Sequence, residues 1–171
     1  MGATKAIAAL CIALLVCAAA LADPTAAVDA RKADTRTPIP DEQVTAANVA
    51  SYFSAAYFDA RVVEDGDVRI QEGGMKTFVK VNTERKRITF YSLWGMKDSV
   101  PEVKKLQFVN RLNSDLVRVR FYTPDAKTLI CDYQLGYKGG VSRLALVSAY
   151  RTFADVVRGA VGTMDPEDII D

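Results

Sequence analysis

The chain has 171 residues and nearly balanced charge, with 22 Lys and Arg against 21 Asp and Glu, so no global attraction to nucleic acid or to an acidic membrane surface is expected. It contains no histidine, which excludes Ser-His-Asp and Cys-His catalysis and histidine-ligated metal centres. Of the three cysteines, Cys11 and Cys17 lie in the N-terminal apolar run. If that run is removed, Cys131 alone remains, too few for an internal disulfide or a thiolate zinc site.

Residues 1–22 read as a signal peptide. A short start carrying Lys5 precedes an unbroken apolar run, and Ala20-Leu21-Ala22 places small residues before a cut between Ala22 and Asp23. The run is shorter than the roughly 20 apolar residues that a membrane helix needs. Cys11 follows Leu10 and Cys17 follows Val16, so neither has the small preceding residue that lipidation favours. The expectation is a processed protein that works outside the cytoplasm, periplasmic or secreted. What remains, about 150 residues, suits one compact domain.

Residues 23–44 contain prolines and no apolar period and read as a flexible leader. A first helix is expected from about Thr45, with Val49, Tyr52, Phe53 and Ala56 on one stripe. After the polar turn Glu64-Asp65-Gly66-Asp67 come three strand-like runs, 68–71, 76–82 and 87–94, joined by short polar links. Ser99 and Glu102 form a capping-box pattern with Pro101 in the first turn, so a second helix is expected there, with Val103, Leu106, Val109 and Asn110 sharing a face and Asn113 as its stop. Two strands follow, 116–122 and 127–135, around the turn Thr123-Pro124-Asp125-Ala126. A last helix over 142–160 carries Leu146, Ala149, Tyr150, Phe153, Val157 and Ala160 on one stripe. Residues 163–171 read as a solvated acidic tail without the ligand spacing of a calcium loop. The order helix, three strands, helix, two strands, helix describes a single α+β domain over 45–162, with an antiparallel five-stranded sheet packed by helices.

Asn110-Arg111-Leu112-Asn113 ending a helix, a strand hairpin, then Gly139-Gly140-Val141-Ser142 opening a helix that holds Phe153 is a pattern that resembles the YbjN domain. That family groups proposed bacterial sensory transduction regulators, and its fold is similar to that of type III secretion chaperones. The resemblance spans roughly residues 45–160. It implies a non-enzymatic α+β module, possible dimerisation by analogy with the chaperones, and no catalytic residues to carry over.

Individual residues point to no reaction. Asn110 and Arg111 read as a tie between helix and loop, Gly139-Gly140 as a tight turn, and Cys131 as a buried thiol on the face of Leu129 and Tyr133. No cofactor or metal is expected. The regional bias is charge: residues 76–120 hold eleven Lys and Arg against four acids. Arg118, Arg120 and Tyr122 alternate with apolar Val117, Val119 and Phe121, and with Tyr91 and Trp94 they form a candidate basic, aromatic surface for a partner. The reading is an exported, non-enzymatic binding or regulatory module of the bacterial cell envelope that recognises a protein or an anionic envelope component, not nucleic acid. The alternative is a hydrolase using carboxylates such as Asp125 and Asp132.

Overall fold

Residues 34–171 are described by a computed structural model. Helix α1 (Ala46–Ala55) starts at Thr45, whose Oγ1 accepts from the Asn48 N–H at 3.2 Å, and it buries Val49, Ala50 and Phe53. Helix α3 (Arg143–Thr163) starts the same way, the Ser142 Oγ accepting from Ala145 N–H at 3.1 Å. Its stripe from Leu146 through Phe153 to Ala160 is buried as the spacing predicts. Helix α2 (Glu102–Asp115) differs from expectation at both ends. Pro101 stands at its N-cap in an extended conformation, no side chain caps the start, and the Ser99–Glu102 box does not form. A residue preceding proline is pushed out of helical geometry, so the helix cannot include Val100. Asn113 does not stop it either.

The buried face of α2 is Lys105, Phe108, Val109 and Leu112, while Val103 and Leu106 are exposed. The expected stripe was out of phase because Lys105 looked polar. Its stem lies in the core and its Nζ donates to the Ala126 carbonyl at 2.6 Å, which satisfies the charged end without exposing the chain.

Strands β1 (Pro38–Ile39), β2 (Asp59–Val62), β3 (Val68–Glu72), β4 (Met75–Asn82), β5 (Arg87–Gly95), β6 (Arg120–Asp125), β7 (Thr128–Gly136) and β8 (Val141–Ser142) complete the fold. Six of them form one antiparallel sheet in the order β2-β3-β4-β5-β7-β6, and β1 pairs with β8 alone. The α+β class and the order of helices and strands are as expected. The sheet has one strand more, since β2 reads as irregular in sequence: it is short, at an edge, and has no buried member. Strand β6 begins later than expected, because Arg118 takes a left-handed φ of 91° and breaks the run.

Two segments expected to lie outside the domain belong to it. Ile39 and Val44 are buried, and Gly140, at φ 103°, allows the Ile39 carbonyl to approach where a Cβ would sit 2.7 Å away. At the other end Ile169 and Ile170 are buried, and Ile170 pairs with Met96.

The core lies on one face of the sheet. Phe90 is its centre, with ring centroids 6.3 Å from Phe53 of α1, 6.3 Å from Phe153 and 6.4 Å from Tyr150 of α3, and 6.2 Å from Tyr133 of β7. The buried side chains of α2 join the same cluster. Alternation along the strands sends every second side chain to the opposite face, which among the described residues no helix covers.

Candidate functional site

Strand register assembles the open face. Arg61 stands opposite Arg69, Arg69 opposite Phe78, Phe78 opposite Tyr91, Tyr91 opposite Asp132, and Asp132 opposite Arg120. One row thus crosses all six strands. Phe78 and Tyr91 stack with centroids 5.3 Å apart. The Tyr91 hydroxyl donates to Asp67 Oδ2 at 2.7 Å, and burial together with that carboxylate pushes the phenol well above its usual range. Arg120 grips Asp132 through both oxygens, at 2.5 and 3.2 Å, and its guanidinium lies 4.9 Å from the Tyr122 ring centroid. The Asp132 side chain is only 8% exposed while that of Arg120 is 61% exposed, so the pair presents a cation outward. A second row runs Leu93, Ile130, Tyr122.

Shallow hollows mark both ends. One of about 290 Å³ is lined by Arg118, Arg120, Asp132, Tyr133 and Gln134. The other, about 630 Å³, lies over Arg61, Val62, Val63, Glu64, Asp65 and Phe78.

The structure therefore gathers Arg120, Tyr122 and Tyr91 on one surface and places Arg118 at its rim, off the strand. Trp94 is not part of it. It shares the strand face of Phe90 and Ser92, both buried, and packs against the core on the helix side. Ala22 and Asp23 lie outside the described residues. Phe78, Leu93, Ile130, Arg61 and Arg69 are not among the sequence candidates, and Lys76 and Lys80 enter there only through the basic stretch 76–120: all stand in strand-like runs except Arg61, but nothing in a single strand reveals its neighbour across the sheet.

The other sequence candidates have structural roles. Asn110 is exposed, and the tie between helix and strand is made instead by Asn113, whose Nδ2 donates to the Phe121 carbonyl. Arg111 donates to the Met164 carbonyl at 3.4 Å and lies over Phe108. Gly140 N–H donates to the Tyr137 carbonyl, closing a turn. Burial pushes the Cys131 thiol up to about 12, so it stays protonated. Asp125 accepts from the N–H groups of Lys127 and Thr128, both at 2.7 Å, which hold its carboxyl below the usual range. Asp132 is clasped by Arg120, so both carboxylates are engaged within the β6–β7 hairpin. Among the described residues no three His, Cys, Asp or Glu side chains gather to hold a metal, and no helix is long and apolar enough to cross a membrane.

No family profile matches the sequence, and no curated protein matches it. Solved structures do. YbjN of E. coli, a candidate transcription regulator, superposes with a TM-score of 0.60 over 71% of this chain and 91% of its own, at 8% identity. The fold is that of YbjN. Chaperone structures match at lower scores. SycH of Yersinia pestis, solved with a stable fragment of YscM2, matches at a TM-score of 0.46, 15% identity, and 66% and 96% coverage. A chain of the HopA1-SchA chaperone-effector complex matches at 0.48, 10% identity, and 65% and 88% coverage. The YbjN-like fold expected from the helix-end and turn motifs is therefore present, at an identity where only the fold is shared.

Proposed function

We propose that this YbjN-like chain is an exported, non-enzymatic binding module of a bacterial cell envelope, and that the open sheet face takes an anionic partner. The observation that carries this reading is the make-up of that face. Arg61, Arg69, Lys76, Lys80, Arg87 and Arg120 surround aromatic and aliphatic side chains, while Asp67 and Asp132 are already engaged by Tyr91 and Arg120. A flat surface with an apolar middle and a border rich in cations attracts an acidic surface and then buries apolar area against it. Export rests on residues 1–22, and the mature chain should begin at Asp23.

Arg61, Lys76 and Lys80 are exposed and make no ion pair among the described residues, so they can be neutralised without disturbing the fold. Arg120 cannot, because its loss would leave the nearly buried Asp132 carboxylate without its partner. Crosslinked capture from intact envelopes should yield a partner with the parent protein. The triple variant Arg61→Gln, Lys76→Gln, Lys80→Gln should capture several-fold less at low salt and match the parent near 1 M salt, where screening acts within about 3 Å. Equal capture at low ionic strength, or cytoplasmic protein that still starts at Met1, overturns the reading.

A further inference from the structure

The apolar side chains of the open face form a continuous band. Tyr122 is opposite Ile130, Ile130 is opposite Leu93, Tyr91 stands two residues from Leu93 on the same strand, and Tyr91 is opposite Phe78. Leu93 is 48% exposed at its centre. The band crosses β6, β7, β5 and β4, and at about 4.8 Å between strands it runs roughly 15–20 Å across the sheet. That is the length of about three turns of α-helix.

Backbone chemistry narrows the occupant. β4, β5 and β7 each have a paired strand on both sides, so their N–H and C=O groups are already used. An extended segment laid across them would bury its own backbone groups without partners, at a cost of about 1–3 kcal/mol for each. A helix satisfies its backbone internally and can bury side chains alone. Charge narrows it further. Arg61 and Arg69 stand at one end of the band and Arg120 at the other, with Lys76 on one flank and Lys80 and Arg87 on the other. A second copy of this face would set cations against cations.

We propose that the open face receives an amphipathic α-helix from a partner polypeptide, its apolar stripe lying along Phe78, Tyr91, Leu93, Ile130 and Tyr122 and acidic residues flanking the stripe. This rests on the reading of the open face as the binding surface.

The test uses the processed chain and a labelled peptide about 18 residues long, five helical turns, with Leu at i, i+3, i+4 spacing and Glu elsewhere. A scrambled isomer without the stripe and vesicles rich in phosphatidylglycerol are the comparison probes. Anisotropy should show the striped peptide binding about tenfold tighter than the isomer, a factor that burial of one leucine can supply, with a gain of helical circular dichroism. Leu93→Glu should abolish the difference, and Val103→Glu on α2 should leave it unchanged. Equal binding of both peptides would overturn the helix and keep the basic face. Binding of vesicles but neither peptide would overturn it in favour of a lipid surface. Striped-peptide binding that Leu93→Glu does not weaken would place the site elsewhere, and no binding by any probe would reject the face itself.

Discussion

Asn113 stands near the end of α2 and turns its side-chain amide toward another element. Its Oδ1 accepts from the Phe121 N–H at 2.9 Å, and its Nδ2 donates to the Phe121 carbonyl at 2.7 Å and to the Val109 carbonyl at 3.1 Å. The amide thus stands in for a neighbouring strand at one residue of β6, and it fixes α2 against the edge of the sheet. Replacing Asn113 with Ala leaves two partly buried backbone groups without partners, so stability in urea should fall by about 1–3 kcal/mol. Asn110→Ala, at an exposed position, should change it by less than about 0.5 kcal/mol. The sequence assigns the amide tie to Asn110 and the helix stop to Asn113, whereas the structure makes the tie through Asn113. Both are helical amides, and which one meets a strand depends on the rotation of α2 about its axis. That rotation follows from burying Phe108 and Leu112.

The segment that follows α3 packs back onto the sheet. Four acids in the last eight residues make it look solvated. One of them organises a turn: Asp165 accepts from the Ile169 and Ile170 N–H groups, both at 2.9 Å. The turn delivers both isoleucines to the end of the sheet, where Lys97 N–H donates to the Ile169 carbonyl at 2.9 Å and Asp171 N–H to the Gly95 carbonyl at 3.1 Å. Lys97 pairs with Asp168, and Lys104 pairs with Glu167 at 3.1 Å. Burial and charge separate in their consequences. Ile169→Ala should cost about 2–5 kcal/mol in chemical denaturation, since Ile169 is fully buried. Glu167→Gln should cost less than about 1 kcal/mol, because the ion pair is exposed. A loss below about 1 kcal/mol for Ile169→Ala would mean that the segment does not hold the core.

For the molecule as a whole, the buried acids of interest are not carboxylates. Burial pushes the Cys131 thiol up to about 12, and the phenols of Tyr91 and Tyr150 rise well above their usual range, through burial and through Asp67 and Glu72 respectively. In the unfolded chain these groups ionise near their ordinary values, about 8.5 for Cys and about 10 for Tyr. The unfolded state therefore releases protons that the native state keeps. Their contribution to stability is fully present below about pH 8.5 and is lost as pH rises toward 12, by up to about 1.4 kcal/mol per pH unit for each group. Melting temperature should fall steadily from pH 8.5 to 11. Cys131→Val should flatten the first part of that fall, and the native thiol should resist alkylating reagents at pH 8 that label it after unfolding. A melting temperature unchanged between pH 8.5 and 11 would contradict these burial assignments.

The sequence by itself determined the α+β class, the order of most elements, the stripe of α3 and the basic bias of the middle of the chain. Those are local properties: a 3.6-residue or two-residue period and the capping Thr45 and Ser142 are visible in a short window. What only the tertiary structure decided was relational. Strand register brought Phe78, Tyr91, Leu93, Ile130 and Arg120 onto one face and turned Trp94 to the other. The packing of α2 rotated Val103 outward and carried Lys105 in, and docking drew in Ile39, Ile169 and Ile170 from segments whose composition resembles loop. A strand's sequence states which residues share its face, but its neighbour and its register follow from how all the apolar faces are buried together.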